Sequence, residues 1–249
     1  MGFRLDGRLV FLAFVAAALF PYAAARGQEA VVTAQVEISG PRPAKESSGS
    51  ARDLSNVVIW LTPADGRTLP KTAEAKGPAP TITQQNKSFS PHILVVQVGT
   101  AVLFPNRDRF LHNVFSLHEG KQFDLGFYEA GSARSVRFDR PGVSYLFCNI
   151  HPEMTAAVVA VETPYFALSD AAGHLTIPGV LEGKYKLHVW SEQSVSEDLK
   201  KLEREVTILN GKSNLGVVTV QANPNFTAAH KNKYGQDYVP PATADYSRP

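Results

Sequence analysis

The chain has 249 residues, of which 44% are hydrophobic and 19% are charged. This composition is ordinary for a folded protein and excludes a disordered or fibrous chain, and the length allows two modest domains or one large all-β domain. The formal net charge is +2 at pH 7 and no Lys/Arg run forms a stripe, so nucleic-acid binding is not expected.

Residues 1–27 have the features of a secretory signal peptide. Arg4 and Arg8 supply the positive end, Leu9 to Phe20 form an apolar run, and Ala23 begins a small-residue cleavage site. A run of about a dozen apolar residues is too short for a bilayer, which needs about 20. We therefore expect cleavage near residues 25–27, a periplasmic or secreted protein, and no transmembrane segment in the mature chain.

Strand patterns then follow one another along the chain. The first is an alternating segment, Val31 to Ile38, and the second is a short apolar run, Asn56 to Leu61. The further predicted strands are residues 93–98, 101–104, 112–117, 135–138, 143–147, 155–161, 165–168, 175–177, 184–190, 205–209 and 215–220. Short strands separated by Gly and Pro predict an all-β protein built from β-sandwiches.

Three local signals complete this prediction. Pro178-Gly179 indicates a turn, and Asn210-Gly211 predicts a hairpin between the last two strands. Only Ser196 to Arg204 could form a short helix.

The segment from Tyr145 to Met154 carries three different metal-binding side chains. Cys148 is the only cysteine, Met154 is the only methionine besides the initiator, and His151 lies midway between them. In a tight loop, which Pro152 favours, these side chains can surround one metal ion.

One more imidazole would complete a His₂Cys site with a weak methionine ligand, the set that selects copper for electron transfer. The candidate is His112. Zinc is disfavoured because methionine is a poor zinc ligand. In an exported protein cysteines usually come in pairs, so a lone cysteine is expected to be buried or occupied.

Residues 81–161 resemble the cupredoxins, the small blue copper proteins. The resemblance is carried by Cys-Asn-Ile-His-Pro-Glu-Met at residues 148–154 and by His-Asn-Val at residues 112–114. It implies a Greek-key sandwich with one type 1 copper site. The implied ligands are His112, Cys148 and His151 in plane and Met154 on the axis, and the side chain of Asn113 would tie the His112 loop to the cysteine loop.

Residues 166–190 resemble a second family, the carboxypeptidase regulatory-like (prealbumin-like) β-sandwich, through the rhythm of Asp170, Gly173, Ile177 and Tyr185. The two resemblances imply a cupredoxin domain inserted into this second sandwich. The predicted organisation is a signal peptide at 1–27, first sandwich strands at 28–66, a linker at 67–80, the cupredoxin domain at 81–162, the remaining sandwich at 163–221 and an extended tail at 222–249. In the alternative, a plain tandem, the first two strands join the cupredoxin.

These features predict an exported copper protein that transfers single electrons between unidentified redox partner proteins. No coordination position is left open for a substrate, so we do not expect an enzyme. Two alternatives stay open: a copper-binding or copper-delivery protein without redox cycling, and a structural two-domain β protein with a vestigial metal site.

Three further expectations concern the surroundings of the site. The apolar side chains expected to exclude water from the metal are those of Phe110, Leu111, Phe115, Phe147 and Ile150. His151 is the expected edge for electron entry. The segment Lys231 to Tyr238 is expected to dock on a partner or on the body of the protein.

Overall fold

The computed structural model describes residues 2, 29–42, 51–69, 78–117, 119–209, 211–226 and 230–238. Its strands are β1 (Glu29–Ser39), β2 (Val58–Pro63), β3 (Thr83–Gln85), β4 (Ser88–Ser90), β5 (Ile93–Gln97), β6 (Thr100–Pro105), β7 (His112–Ser116), β8 (Phe123–Tyr128), β9 (Ala133–Phe138), β10 (Gly142–Phe147), β11 (Thr155–Val161), β12 (Phe166–Leu168), β13 (His174–Leu181), β14 (Gly183–Trp190), β15 (Arg204–Ile208) and β16 (Gly211–Gln221). One helix, α1 (Ser196–Lys201), occurs among the described residues. The all-β prediction is therefore confirmed.

Several predicted segments lie wholly or partly outside the described residues. These are the signal peptide at 1–27, of which only Gly2 is described, part of the linker at 67–80, and part of the tail at 222–249. Within the described residues no helix is long and apolar enough to cross a membrane.

Strands from both ends of the chain form the flanking sandwich. One sheet has the order β13-β1-β16 and the other the order β12-β2-β14-β15. Apolar side chains of both sheets, including Val32, Ile59 and Leu187, are fully buried in a common core. The first two strands thus pair with strands that follow residue 163.

Strands β3 to β11 form the central sandwich. Its larger sheet has the order β5-β11-β10-β7-β8. The opposite layer consists of the pairs β3-β4 and β6-β9, which two isolated bridges connect, one between Thr81 and Leu103 and one between Gln84 and Asn106. Between the layers lies a second core, which contains Cys148 and Met154.

β11 is buried on both faces, and this explains its continuous apolar sequence. Ala156, Val158 and Ala160 belong to the core of the central sandwich, whereas Ala157 and Val159 belong to the core of the flanking sandwich. A strand with one solvent-exposed face would alternate with polar residues instead. β11 therefore contributes side chains to the cores of both sandwiches and separates them.

Two turn predictions are wrong. β15 pairs with β14 while β16 pairs in parallel with β1, so the strands on either side of Asn210-Gly211 enter different sheets and form no hairpin. Pro178-Gly179 lies inside β13, where Ile177 and Val180 pair with Val32 and Ala30. Two residues of β13 face one of β1 there, and Gly179 has the left-handed φ of 68° that a bulge of this kind requires.

Candidate metal centre

The segment Cys148–Met154, called the metal loop below, joins two neighbouring antiparallel strands. Phe147, the last residue of β10, pairs with Thr155, the first residue of β11. Two backbone hydrogen bonds close the loop: Cys148 N–H donates to the Met154 carbonyl at 3.3 Å, and Met154 N–H donates to the His151 carbonyl at 3.1 Å. The register of the two strands thus holds the metal loop in a tight bend.

His112 reaches the metal loop from the adjacent strand. It begins β7, whose residues are all buried and which pairs with β10 through Phe115 and Phe147. The Sγ of Cys148 lies 3.7 Å from Nδ1 of His112 and 3.5 Å from Nδ1 of His151. The structure therefore brings together three of the four predicted ligands, with one donor atom of each within 4.8 Å of the others.

The separations of these atoms fit a shared metal ion. An ion bonded at about 2.1 Å to nitrogen and about 2.3 Å to sulfur, with tetrahedral to trigonal angles, requires nitrogen-to-sulfur separations of about 3.6 to 3.8 Å. The separation from His112 is 3.7 Å, within this range, and the separation from His151 is 3.5 Å, just below it. One thiolate with two imidazoles is a donor set that suits copper.

Asp108 sets the orientation of His112. Its Oδ2 lies 2.7 Å from Nε2 of His112, so an ionised Asp108 accepts the Nε2–H and leaves the Nδ1 lone pair directed at the sulfur. The N–H groups of Asn86 and Lys87, in the turn between β3 and β4, donate to the same carboxylate at 2.7 and 2.9 Å. Burial opposes ionisation, but these N–H groups and His112 together hold the pKa of Asp108 below its ordinary value.

The protonation states of the loop ligands differ. Burial, together with the positive charge of Lys87, lowers the pKa of His151 to about 4, so its ring is neutral and free to bind a metal at neutral pH. Burial raises the pKa of the Cys148 thiol, although backbone N–H groups of Asn113, Ile150 and His151 oppose this. The thiol therefore keeps its proton until a metal displaces it.

Met154, the predicted axial ligand, is completely buried in the same core as Cys148. Its role in metal binding stays a prediction.

Asn113 has a different role from the predicted one. Its side-chain Nδ2 donates to Oδ1 of Asp124 on β8 at 2.7 Å, and its Oδ1 is buried without a hydrogen-bond partner. The backbone N–H of Asn113, rather than its side chain, bonds to the Cys148 thiol. Any residue at this position could supply that N–H except proline.

The apolar side chains predicted to keep water from the site are only partly buried. Phe115 is buried, but Phe110, Leu111 and Ile150 are 39%, 47% and 44% exposed. The Phe110 ring lies 5.1 Å from the His112 ring and 5.7 Å from the His151 ring. Phe110 and Ile150 therefore expose apolar surface next to half-buried His151, and Leu111 does so next to His112 in the chain.

The tail segment around residues 230–238 docks on the body of the protein, one of the two expected outcomes. Tyr238 OH donates to the Cys148 carbonyl at 2.6 Å, and the His230 ring lies 4.3 Å from the Phe147 ring.

Asp108 and the turn at Asn86-Lys87 are not among the residues predicted for the site, and the contacts of the tail with Cys148 and Phe147 were not predicted residue by residue. A usable signal for Asp108 exists in the sequence, because it is an acidic residue four positions before a candidate ligand histidine.

No protein-family model matches the chain, and no curated protein matches it. Among solved structures, a purple cupredoxin from Nitrosopumilus maritimus is 26% identical, with 33% of this chain and 99% of that chain covered and a TM-score of 0.31. A copper-containing nitrite reductase from Thermus scotoductus SA-01 is 27% identical, with 41% of this chain and 27% of that chain covered and a TM-score of 0.33.

A variant of amicyanin in the Cu(I) form is 21% identical, with 41% of this chain and 98% of that chain covered and a TM-score of 0.32. The structural neighbours are thus cupredoxins that match a minor part of the chain. The reasons to expect copper lie in the donor atoms described above, not in this likeness.

Proposed function

We propose that the protein is an exported type 1 copper protein that transfers single electrons between redox partner proteins. One observation carries the proposal: His112 and Cys148, distant in sequence and completely buried, meet His151 with sulfur-to-nitrogen separations of 3.7 and 3.5 Å. Bound copper would supply one-electron redox chemistry, which a set of one thiolate, two imidazoles and a thioether supports.

The chain's own residues would hold the site in one geometry. His112 is held through Asp108, and Cys148 and His151 are held by the closed metal loop between paired strands. Ligands whose positions are set before the metal changes its oxidation state rearrange little on electron transfer. Rigid placement of this kind favours a carrier over a site that must open and release its metal.

His151 is the proposed route for the electron. It is half-buried, whereas His112 and Cys148 are completely buried. The exposed apolar side chains of Phe110 and Ile150 next to it would allow a redox partner to approach closely and exclude water. We further propose that the protein is not an enzyme, because the predicted ligands leave no position for a substrate.

Export and the domain organisation belong to the same proposal. The sequence of residues 1–27 supports export, and the pairing of β1 and β2 with strands after residue 163 supports an inserted central sandwich on a carboxypeptidase regulatory-like one.

Addition of Cu(II) to the purified protein is the decisive experiment. We expect an intense visible absorption band from thiolate-to-copper charge transfer, at one copper per chain, and its complete loss in Cys148→Ser. Ser144→Ala on β10 is a control that leaves the ligands in place. A colourless Cu(II) complex of the unchanged chain contradicts the proposal.

The rate of copper exchange with a chelator distinguishes an electron carrier from a copper-delivery protein. The carrier keeps its copper against a competing chelator and cycles reversibly between Cu(II) and Cu(I) in voltammetry. Rapid loss of Cu(I) to the chelator without a stable blue oxidised state would favour delivery instead, and absence of copper binding would favour a vestigial site.

A further inference from the structure

We propose that residues 230–238, called the clasp, position the metal loop from outside the central sandwich, with Tyr238 and Lys233 as the positioning residues. This inference rests on the proposed copper function for its consequences but not for its geometry. The clasp follows the last strand of the flanking sandwich, so the chain returns from that sandwich to the proposed metal centre of the other.

Tyr238 holds the backbone of the cysteine. Its hydroxyl donates to the Cys148 carbonyl at 2.6 Å and lies 3.2 Å from Nδ1 of His230. The N–H of Cys148 is already bonded to the Met154 carbonyl. Both backbone polar groups of Cys148 therefore have a partner, and the clasp supplies one of the two.

Lys233 reaches the metal loop along two paths. Its backbone N–H donates to Oδ1 of Asn149, the residue after the cysteine, at 2.9 Å. Its ammonium donates to Oδ2 of Asp124 at 2.8 Å, and the other oxygen of Asp124 accepts from Nδ2 of Asn113 at 2.7 Å. Since the backbone N–H of Asn113 bonds to the Cys148 thiol, a chain of polar contacts connects the clasp to the sulfur.

The clasp has its own structure. The side-chain Oδ1 of Asn232 accepts from the N–H groups of Tyr234 and Gln236, both at 3.0 Å. The backbone of Asn232 bonds to Gly235 and to Gln236 at 2.9 Å. This compact turn places Lys233 against β8 and the metal loop, and it fixes the spacing to Tyr238.

Two consequences follow for the metal centre. Loss of the Tyr238 hydroxyl leaves the Cys148 carbonyl without this donor and allows the metal loop to open more often. Loss of the Lys233 charge leaves the carboxylate of Asp124 uncompensated near the thiolate. A negative charge near the site favours Cu(II) over Cu(I), so the reduction potential falls.

The experiment uses two readouts on the full-length chain. In the metal-free protein, the rate at which Cys148 reacts with an aromatic disulfide reagent reports the opening of the metal loop and needs no copper. In the copper-loaded protein, voltammetry reports the reduction potential. The variants are Tyr238→Phe, Lys233→Met and the conservative Lys233→Arg.

Two matched controls come from the clasp itself. Tyr234→Phe is the control for the thiol rate of Tyr238→Phe: it removes a hydroxyl from a side chain that is 70% exposed and keeps the ring that lies 5.4 Å from the Lys233 ammonium. Lys231→Met removes a charge whose partner, Asp237 at 3.3 Å, is an exposed residue of the clasp.

We expect Tyr238→Phe, which changes no charge, to raise the thiol reaction rate about fivefold to tenfold, the factor that loss of one hydrogen bond gives. In the copper-loaded protein Lys233→Met lowers the reduction potential, Asp124→Asn raises it, and Lys233→Arg restores it. A thiol rate of Tyr238→Phe equal to that of the controls overturns the clasp, whether or not copper binds. Failure of the unchanged chain to turn blue overturns the proposed function alone, because the thiol rates still decide the clasp.

Discussion

Cys148 combines two opposing requirements. Its complete burial raises the pKa of the thiol, whereas a metal ligand must be a thiolate. The backbone N–H groups directed at the sulfur offset part of this cost, and a bound cation would supply the rest. The neutral ring of His151, whose pKa is lowered to about 4, adds no positive charge that would repel the ion.

Replacement of Asp108 tests how strongly the orientation of His112 affects copper affinity. Asp108→Ala removes the acceptor of the His112 Nε2–H and the acceptor of two backbone N–H groups. Copper affinity should fall about 10- to 100-fold, the usual effect of losing such a partner. Competition titration with a chelator measures this effect.

The matched control for this change is Asp139→Ala. Asp139 forms an exposed ion pair with Lys121 at 2.9 Å in the same sandwich. Asp108→Asn, which keeps an acceptor oxygen, should lie between Asp108→Ala and the unchanged chain. Equal affinities of Asp108→Ala and Asp139→Ala would show that Asp108 does not orient His112.

At the scale of elements, the short β3-β4 hairpin supports the metal centre. Its turn residues Asn86 and Lys87 have φ values of 54° and 56°, and their N–H groups donate to Asp108. Both positions are left-handed, which suits an asparagine better than a lysine. The hairpin therefore adopts a turn that its sequence only partly favours.

Lys87→Gly tests this turn. Glycine adopts the left-handed conformation without the cost of a Cβ, so we expect the free energy of unfolding to stay equal or rise by up to about 1 kcal/mol. Lys87→Val, with a branched Cβ at the same φ, should lower it by about 1 to 2 kcal/mol. Urea unfolding of the metal-free protein measures both changes, and a glycine variant less stable than the valine variant would contradict this account.

At the scale of the whole molecule, the two sandwiches are joined by more than apolar contact. Nε2 of His92, which precedes β5, lies 2.6 Å from Oε1 of Glu192, which follows β14, and Nδ1 of His92 lies 3.1 Å from the Thr155 carbonyl. Both ring nitrogens thus face acceptors, and only the protonated ring donates to both. The bond to Glu192 raises the pKa of His92 in spite of burial.

This contact predicts a pH-dependent stability. A raised pKa in the folded state contributes stability that is fully present below the unfolded value of about 6.5. The contribution is lost as the pH rises through the folded pKa of His92. We expect Glu192→Gln to remove it, with an effect of at most about 1 kcal/mol because the His92 side chain is 35% exposed.

Thermal unfolding at several pH values checks this expectation. The difference between the unchanged chain and Glu192→Gln should be largest below about pH 6 and should shrink as the pH rises. His174→Gln, at an exposed histidine that lies 3.7 Å from Asp170 within the flanking sandwich, is the control. A difference that grows with pH would contradict the assignment.

The parts of the structure that sequence alone predicted are local. β11 was predicted with its observed bounds, and the metal loop was predicted between two consecutive strands, because apolar runs, Pro152 and the spacing of the donors are all local signals. The prediction of a hairpin at Asn210-Gly211 was wrong because the pairing of the strands on either side of it is not local. A favourable turn pair does not decide which sheet a strand enters when β1, far away in sequence, offers a better edge.

The all-β class and the three candidate ligands of one loop can be inferred from sequence patterns, since both depend on residues a few positions apart. The contacts that hold the ligands are visible only in the folded chain: the bond of Asp108 to His112, the backbone rather than side-chain contact of Asn113 with Cys148, and the bond of the clasp to the Cys148 carbonyl. These contacts join side chains far apart in the chain or depend on their exact direction. Their existence follows from how the sheets pack, which no local pattern records.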